Sequence, residues 1–150
     1  MSVATTASLA VHLVAGAVWV GALAFTVAAV VPAAKRGEIN AAPLGAIAST
    51  LRTVSRVAAV LLLATGGHLA VAKYDIASLT GSGRGHLVVT MAVLWLATTG
   101  LVEVGAGKLV DGADDRKVRE PAREASRLLW IAAVLGALVL VDAALLIEGV

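Results

Sequence analysis

Four ionisable residues stand out by position: His12, His68, His86 and Asp142 each lie inside or at the edge of a long apolar stretch. A titratable group in such a place is costly and usually faces a protein interior or a cavity. A neutral imidazole there can ligate a transition metal or haem iron, move a proton, or hydrogen-bond a neighbouring helix. The chain has no cysteine and two methionines, Met1 and Met91. Disulfides, thiolate metal sites and cysteine nucleophiles are therefore excluded, and a sulfur-lined copper(I) relay has little to work with. Imidazole is the transition-metal ligand that remains.

The elements that must carry these residues are apolar runs at 7–34, 54–72, 87–104 and 128–147. Each is near the ~20 residues a helix needs to cross the ~30 Å hydrocarbon layer. At 150 residues, 59% hydrophobic and mean hydropathy +0.93, the chain is one domain and too apolar for an ordinary soluble one. The predicted fold is all-α: a four-transmembrane-helix bundle, antiparallel and up-down, because helices satisfy their own backbone hydrogen bonds in lipid. The first run lacks a basic leader and is too long for a signal core, so it reads as a span. With one crossing per run, the start of span one, the end of span two, the start of span three and the end of span four share a face. All four ionisable residues map there.

Charge sets the expected orientation. Lys35, Arg36, Arg52, Arg56, Lys108, Arg116, Lys117, Arg119, Arg123 and Arg127 fall on one side, against Lys73 and Arg84 on the other. Ten cations against two predicts cytoplasmic basic loops, with both termini and the histidine face outside a plasma membrane. Asp111, Asp114, Asp115, Glu120 and Glu124 intersperse the last basic loop, which reads as solvated rather than nucleic-acid-binding.

Local signals refine the spans. Pro32 predicts that span one tilts or ends near Val31. Asn40 and Pro43 mark a helix start, so span two belongs to a longer helix from which Arg52 and Arg56 can snorkel. The segment 75–85 reads as a short outside loop and 105–120 as a polar connection. Gly105-Ala106-Gly107-Lys108 reads as a helix terminus, lacking the context of a phosphate-binding loop. Pro121 opens the last helix. Glu103 is expected to pair with Arg56. Trp19 and Trp95 read as packing residues and Trp130 as part of an aromatic belt.

At ~1.5 Å per residue, His12 lies roughly 7–8 Å below the outer boundary. His68 has a similar depth, Asp142 is slightly deeper and His86 is shallower. Gly16 and Trp19 follow His12 on one helical face, and Gly66 and Gly67 precede His68. Small residues beside a histidine admit either a neighbouring helix or a flat ring. His12 and His68 are thus the depth-matched pair for haem b, with Gly16 and Gly67 leaving room, His86 in reserve and Arg84 available to a propionate. The same three histidines are the candidate copper ligands. Asp142 is placed to orient a ligand histidine through its second nitrogen, to relay protons, or to pair helices. No nucleophile motif or carboxylate pair emerges, and the reading leans away from an enzyme.

The run His12-Leu13-Val14-Ala15-Gly16-Ala17-Val18-Trp19-Val20-Gly21, followed by Pro32, resembles the copper resistance protein D (CopD) family of four-helix membrane domains. The stretch from Arg56 to Gly67 and the Gly85-His86 start of span three are similar too. The resemblance implies copper handling at the membrane. A more distant likeness is to HemJ-type protoporphyrinogen oxidases, whose first-helix histidine corresponds to His12 and implies haem. Here Leu87-Val88-Val89-Thr90 replaces the lysine expected after the third-helix histidine.

Two functions are therefore expected. One is a haem b or copper module for electron transfer or copper handling, with a redox or copper-carrier partner outside and homodimerisation open. The other is a metal or proton transport component lined by His12, His68 and Asp142. Oxidation of a porphyrin stands third.

Overall fold

The computed structural model describes residues 2–148, and among these it contains helices and no strand. Four helices are long and apolar enough to cross a membrane. We number them with one short helix between: α1 (Val3–Arg36), α2 (Ala41–Lys73), α3 (Ile76–Gly81), α4 (Gly83–Asp114) and α5 (Arg119–Glu148).

Helix α1 opens on Ser2, whose hydroxyl accepts from the Thr5 amide at 3.2 Å. It passes Pro32 without ending. Proline has no N–H for the carbonyl of residue 28 and its ring crowds that group. The chain answers with a π-helical segment, Thr26–Val30, in which the Val31 amide reaches back to the Thr26 carbonyl. Thr26 donates its hydroxyl to the Ala22 carbonyl at 2.9 Å. The widened turn absorbs the proline, so the helix continues to Arg36 instead of stopping near Val31. Gly37, at φ 77°, then closes it in the left-handed region.

Helix α2 begins after Asn40 with Pro43 in its first turn, as the sequence suggests. Two expected loops are partly helical. Within 75–85, Asp75 and Ser78 form a reciprocal capping box that starts α3. Within 105–120, α4 runs on to Asp114. The glycines there are contact points rather than a terminus. A Cβ on Gly105 would lie 2.8 Å from a Leu129 methyl, and one on Gly112 would collide with the Pro121 ring. Their bare backbones let α4 and α5 approach closely beyond the apolar run, and Lys108 bonds Glu124 at 2.9 Å beside them. Helix α4 ends in a Schellman motif, with the Lys117 amide on the Gly112 carbonyl at 2.8 Å and the Arg116 amide on Ala113 at 2.9 Å. The left-handed position, usually glycine, is Arg116 at φ 59°. A side chain there costs roughly 1–2 kcal/mol.

The four long helices form a closed antiparallel ring in the order α1, α2, α4, α5. The larger core cluster, including Leu23, Val27, Val31, Leu44, Leu51, Val102, Leu109 and Leu129, fills the basic end. A smaller cluster of Ala15, Trp19, Ala58 and Leu62, with Trp95 against it, lies toward the histidine end. Trp19 is fully buried and donates its indole N–H to Ser55 at 3.0 Å. Outside the ring, Val14, Val18, Val60, Val93, Leu96 and Val134 are more than half exposed. Such an apolar exterior suits lipid and makes this a multi-pass membrane protein. Glu103 accepts from both Arg52 and Arg56, joining α4 to α2. The sequence pointed to Arg56 alone; Arg52, one turn earlier on the same face of α2, shares the carboxylate.

Candidate functional site

His12 is the best-built of the candidate residues. It sits half-buried on α1 with its ring against α2, where Nδ1 lies 2.8 Å from the Thr65 hydroxyl. Thr65 in turn donates its single proton to the Leu61 carbonyl at 2.6 Å. A hydroxyl that has spent its proton can only accept from a neighbour. This network favours the hydrogen on His12 Nδ1 and leaves Nε2 with a lone pair, as ligation through that nitrogen needs.

Glycine makes the ring's seat. A Cβ on Gly66 would lie 3.0 Å from His12 Cε1 and 3.5 Å from Nδ1, whereas one on Gly67 would meet nothing within 4 Å. The space-giving residue is thus Gly66 and not Gly67, because one residue turns a helix by about 100° and carries Gly67 off the contact face. The space above Gly16 is taken by Leu140 at 3.8 Å and Leu62 at 3.9 Å. Gly16 serves the approach of α1 to α2 and α5.

The other two histidines sit elsewhere. His68 is exposed on α2, about one turn beyond Thr65. His86 is exposed in the first turns of α4, and its Nε2 bonds the Thr80 carbonyl at 3.0 Å, fastening α3 to α4. Arg84 is exposed in that same turn. Among the described residues, no three or more His, Asp or Glu side chains gather as a metal-binding group.

Asp142 continues the inward stripe of α5 that runs through Leu129, Ala132, Gly136 and Val139. It is 6% exposed, and its Oδ2 is buried without a hydrogen-bond partner among the described residues. Leu140 reaches Gly16 of α1. Two residues further along α5 is roughly 3 Å, which puts Asp142 in the layer between Gly16 and His12. Trp95 Nε1 is the other buried side-chain polar atom without a partner among the described residues. Trp95 is one turn from Thr98, which faces Gly136 across the bundle. The histidine half of the ring thus contains one unpartnered acceptor and one unpartnered donor among the described residues, and each such buried group calls for an explanation. Composition could flag Asp142. It gave no sign of Thr65, Ser55 or the Trp95 indole, whose roles depend on which helix faces which.

At the rim of this end, hydrogen bonds from Ser78 hold the Asp75 carboxyl below its usual range. No family model, curated protein or solved structure matches the chain, so the site is read from its own geometry.

Proposed function

We propose that the protein binds haem b through His12 Nε2 in the histidine half of the bundle and passes electrons to a partner at that face. The observation that carries this reading is the Leu61–Thr65–His12 chain, which favours a hydrogen on Nδ1 and a lone pair on Nε2. Gly66 seats the His12 ring against α2, and the unpartnered Oδ2 of Asp142 and Nε1 of Trp95 lie in the same half of the bundle, where a polar guest would find partners. His68, exposed about one turn beyond Thr65 on α2, would offer the haem a further imidazole, and Arg84 would offer a propionate a cation. When bound, the haem supplies one-electron chemistry; the chain's part is to hold Nε2 and to keep Nδ1 protonated. The CopD-like first-helix motif agrees with a redox or copper-linked role, and copper is the alternative occupant of His12. The ten-to-two charge asymmetry supports placing this face outside the cell membrane.

The test is an optical spectrum of the purified protein with supplied haem. A stoichiometric Soret band, abolished by His12→Ala and altered in ligation by His68→Ala, is expected. A protein that takes up neither haem nor copper at His12 overturns the reading. The Asp142 carboxylate favours a second one, a proton or metal path through the same half. Proton or metal flux into proteoliposomes that survives His12→Ala but not Asp142→Asn would favour it over haem.

A further inference from the structure

At the basic end, an open cleft of about 500 Å³ lies between the α1–α2 connection and the α4–α5 connection. Its lining includes Gly37, Asn40, Arg116, Lys117, Arg119 and Glu120. Three cations and one carboxylate line it, all from residues 116–120. The cations are differently committed. Arg119 is tied down: it donates to the Arg36 carbonyl at 3.2 Å and lies over Gly37, where a Cβ would come within 2.5 Å of its guanidinium. Lys117 has only a loose, exposed contact at 3.9 Å with Asp115. Arg116 makes no ion pair or side-chain hydrogen bond among the described residues. It also holds the left-handed backbone position that closes α4, where glycine would be unstrained. The fold carries a strained backbone to place a guanidinium at this cleft, and strain of that kind points to use of the side chain.

We propose that this cleft binds a phosphate group, held between Arg116 and Arg119 with Lys117 at its edge. Guanidinium matches two phosphate oxygens at once, and a pre-positioned one loses little freedom on binding. The cleft lies at the basic end, beyond the apolar runs of α2, α4 and α5, so the phosphate it takes is carried either by an anionic phospholipid headgroup or by a soluble molecule. The site is at the far end of the bundle from His12 and does not depend on a haem there.

Native mass spectrometry of the protein from nanodiscs of mixed phosphatidylglycerol and phosphatidylcholine tests this. Phosphatidylglycerol should be retained preferentially, and Arg116→Gly and Arg119→Gln should each reduce its retention several-fold. Arg123→Gln removes the same charge outside the cleft and should leave retention unchanged. Arg116→Gly should also raise the melting temperature, since it relieves the backbone, so loss of lipid cannot be put down to misfolding. Inorganic phosphate competing at millimolar concentration would support the phosphate site and place its source in solution instead. Equal loss from Arg123→Gln, or no loss from the two cleft variants, overturns the proposal, because retention would then follow diffuse surface charge.

Discussion

The ligand-ready state of His12 rests on one threonine and one missing methyl group. Gly66→Ala puts a Cβ against Cε1, so the ring must shift by a few tenths of an ångström and loosen its bond to Thr65. Gly67→Ala adds its Cβ to open space and removes a helix-weakening glycine. We expect nitrogen NMR of labelled histidine to show the Nδ1–H tautomer of His12 in the parent and in Gly67→Ala, and a tautomer mixture in Gly66→Ala. Identical spectra for both variants would mean that the seat does not matter. Trp19 gives a second residue-scale case. Ser55→Ala removes the only acceptor of a fully buried indole N–H. It should cost about 1–3 kcal/mol in a reversible unfolding assay in detergent. The sequence marked His12 and the glycine pair, because a histidine in an apolar run is rare enough to notice. It did not say which glycine of the pair mattered. That answer needs the rotation of α2 against α1, which no pattern within either helix encodes.

At the scale of helices, the apolar spans were legible because lipid demands a near-constant length of hydrocarbon. The extensions of α4 and α2 past the apolar runs were not, since there the helices stay paired through glycine contacts and ion pairs that hydropathy does not register. Gly112→Ala tests this. Its Cβ would fall on the Pro121 ring, so α4 and α5 must part, at about 1–3 kcal/mol or more. Gly107 on the same helix has nothing within 4 Å, and its alanine variant should be neutral or up to about 1 kcal/mol more stable. The short helix α3 depends on a different device. Asp75 caps it through Ser78, and those bonds lower its folded pKa. A depressed carboxylate contributes stability above its unfolded pKa, near pH 4, and loses that contribution as pH falls through the folded value. The Ser78 amide resonance should therefore titrate below pH 4 in the parent and stay flat in Asp75→Asn, where the cap survives without the charge. A midpoint at or above that of an unstructured aspartate would refute the cap's role.

For the whole molecule, the two ends of the bundle are chemically unlike, and the functional reading depends on which compartment each one faces. The basic end holds the dense core, the Glu103 cluster with Arg52 and Arg56, and the phosphate cleft. The other end has the thinner core, His12, and the Asp142 Oδ2 and Trp95 Nε1 atoms that have no hydrogen-bond partner among the described residues. Ten of the twelve Lys and Arg residues lie toward the first end. Positive charge is retained on the cytoplasmic side during insertion, so that end should face the cytoplasm and His12 should meet partners outside. The absence of cysteine makes the test clean, because any thiol introduced is the only one present. Ser78, in the first turn of α3, and Asp114, at the end of α4, lie at opposite ends of the bundle. In intact cells, a membrane-impermeant maleimide should label Ser78→Cys, and should label Asp114→Cys only after permeabilisation. The reverse pattern would put the His12 end in the cytoplasm, and an electron carrier there could no longer serve an external partner.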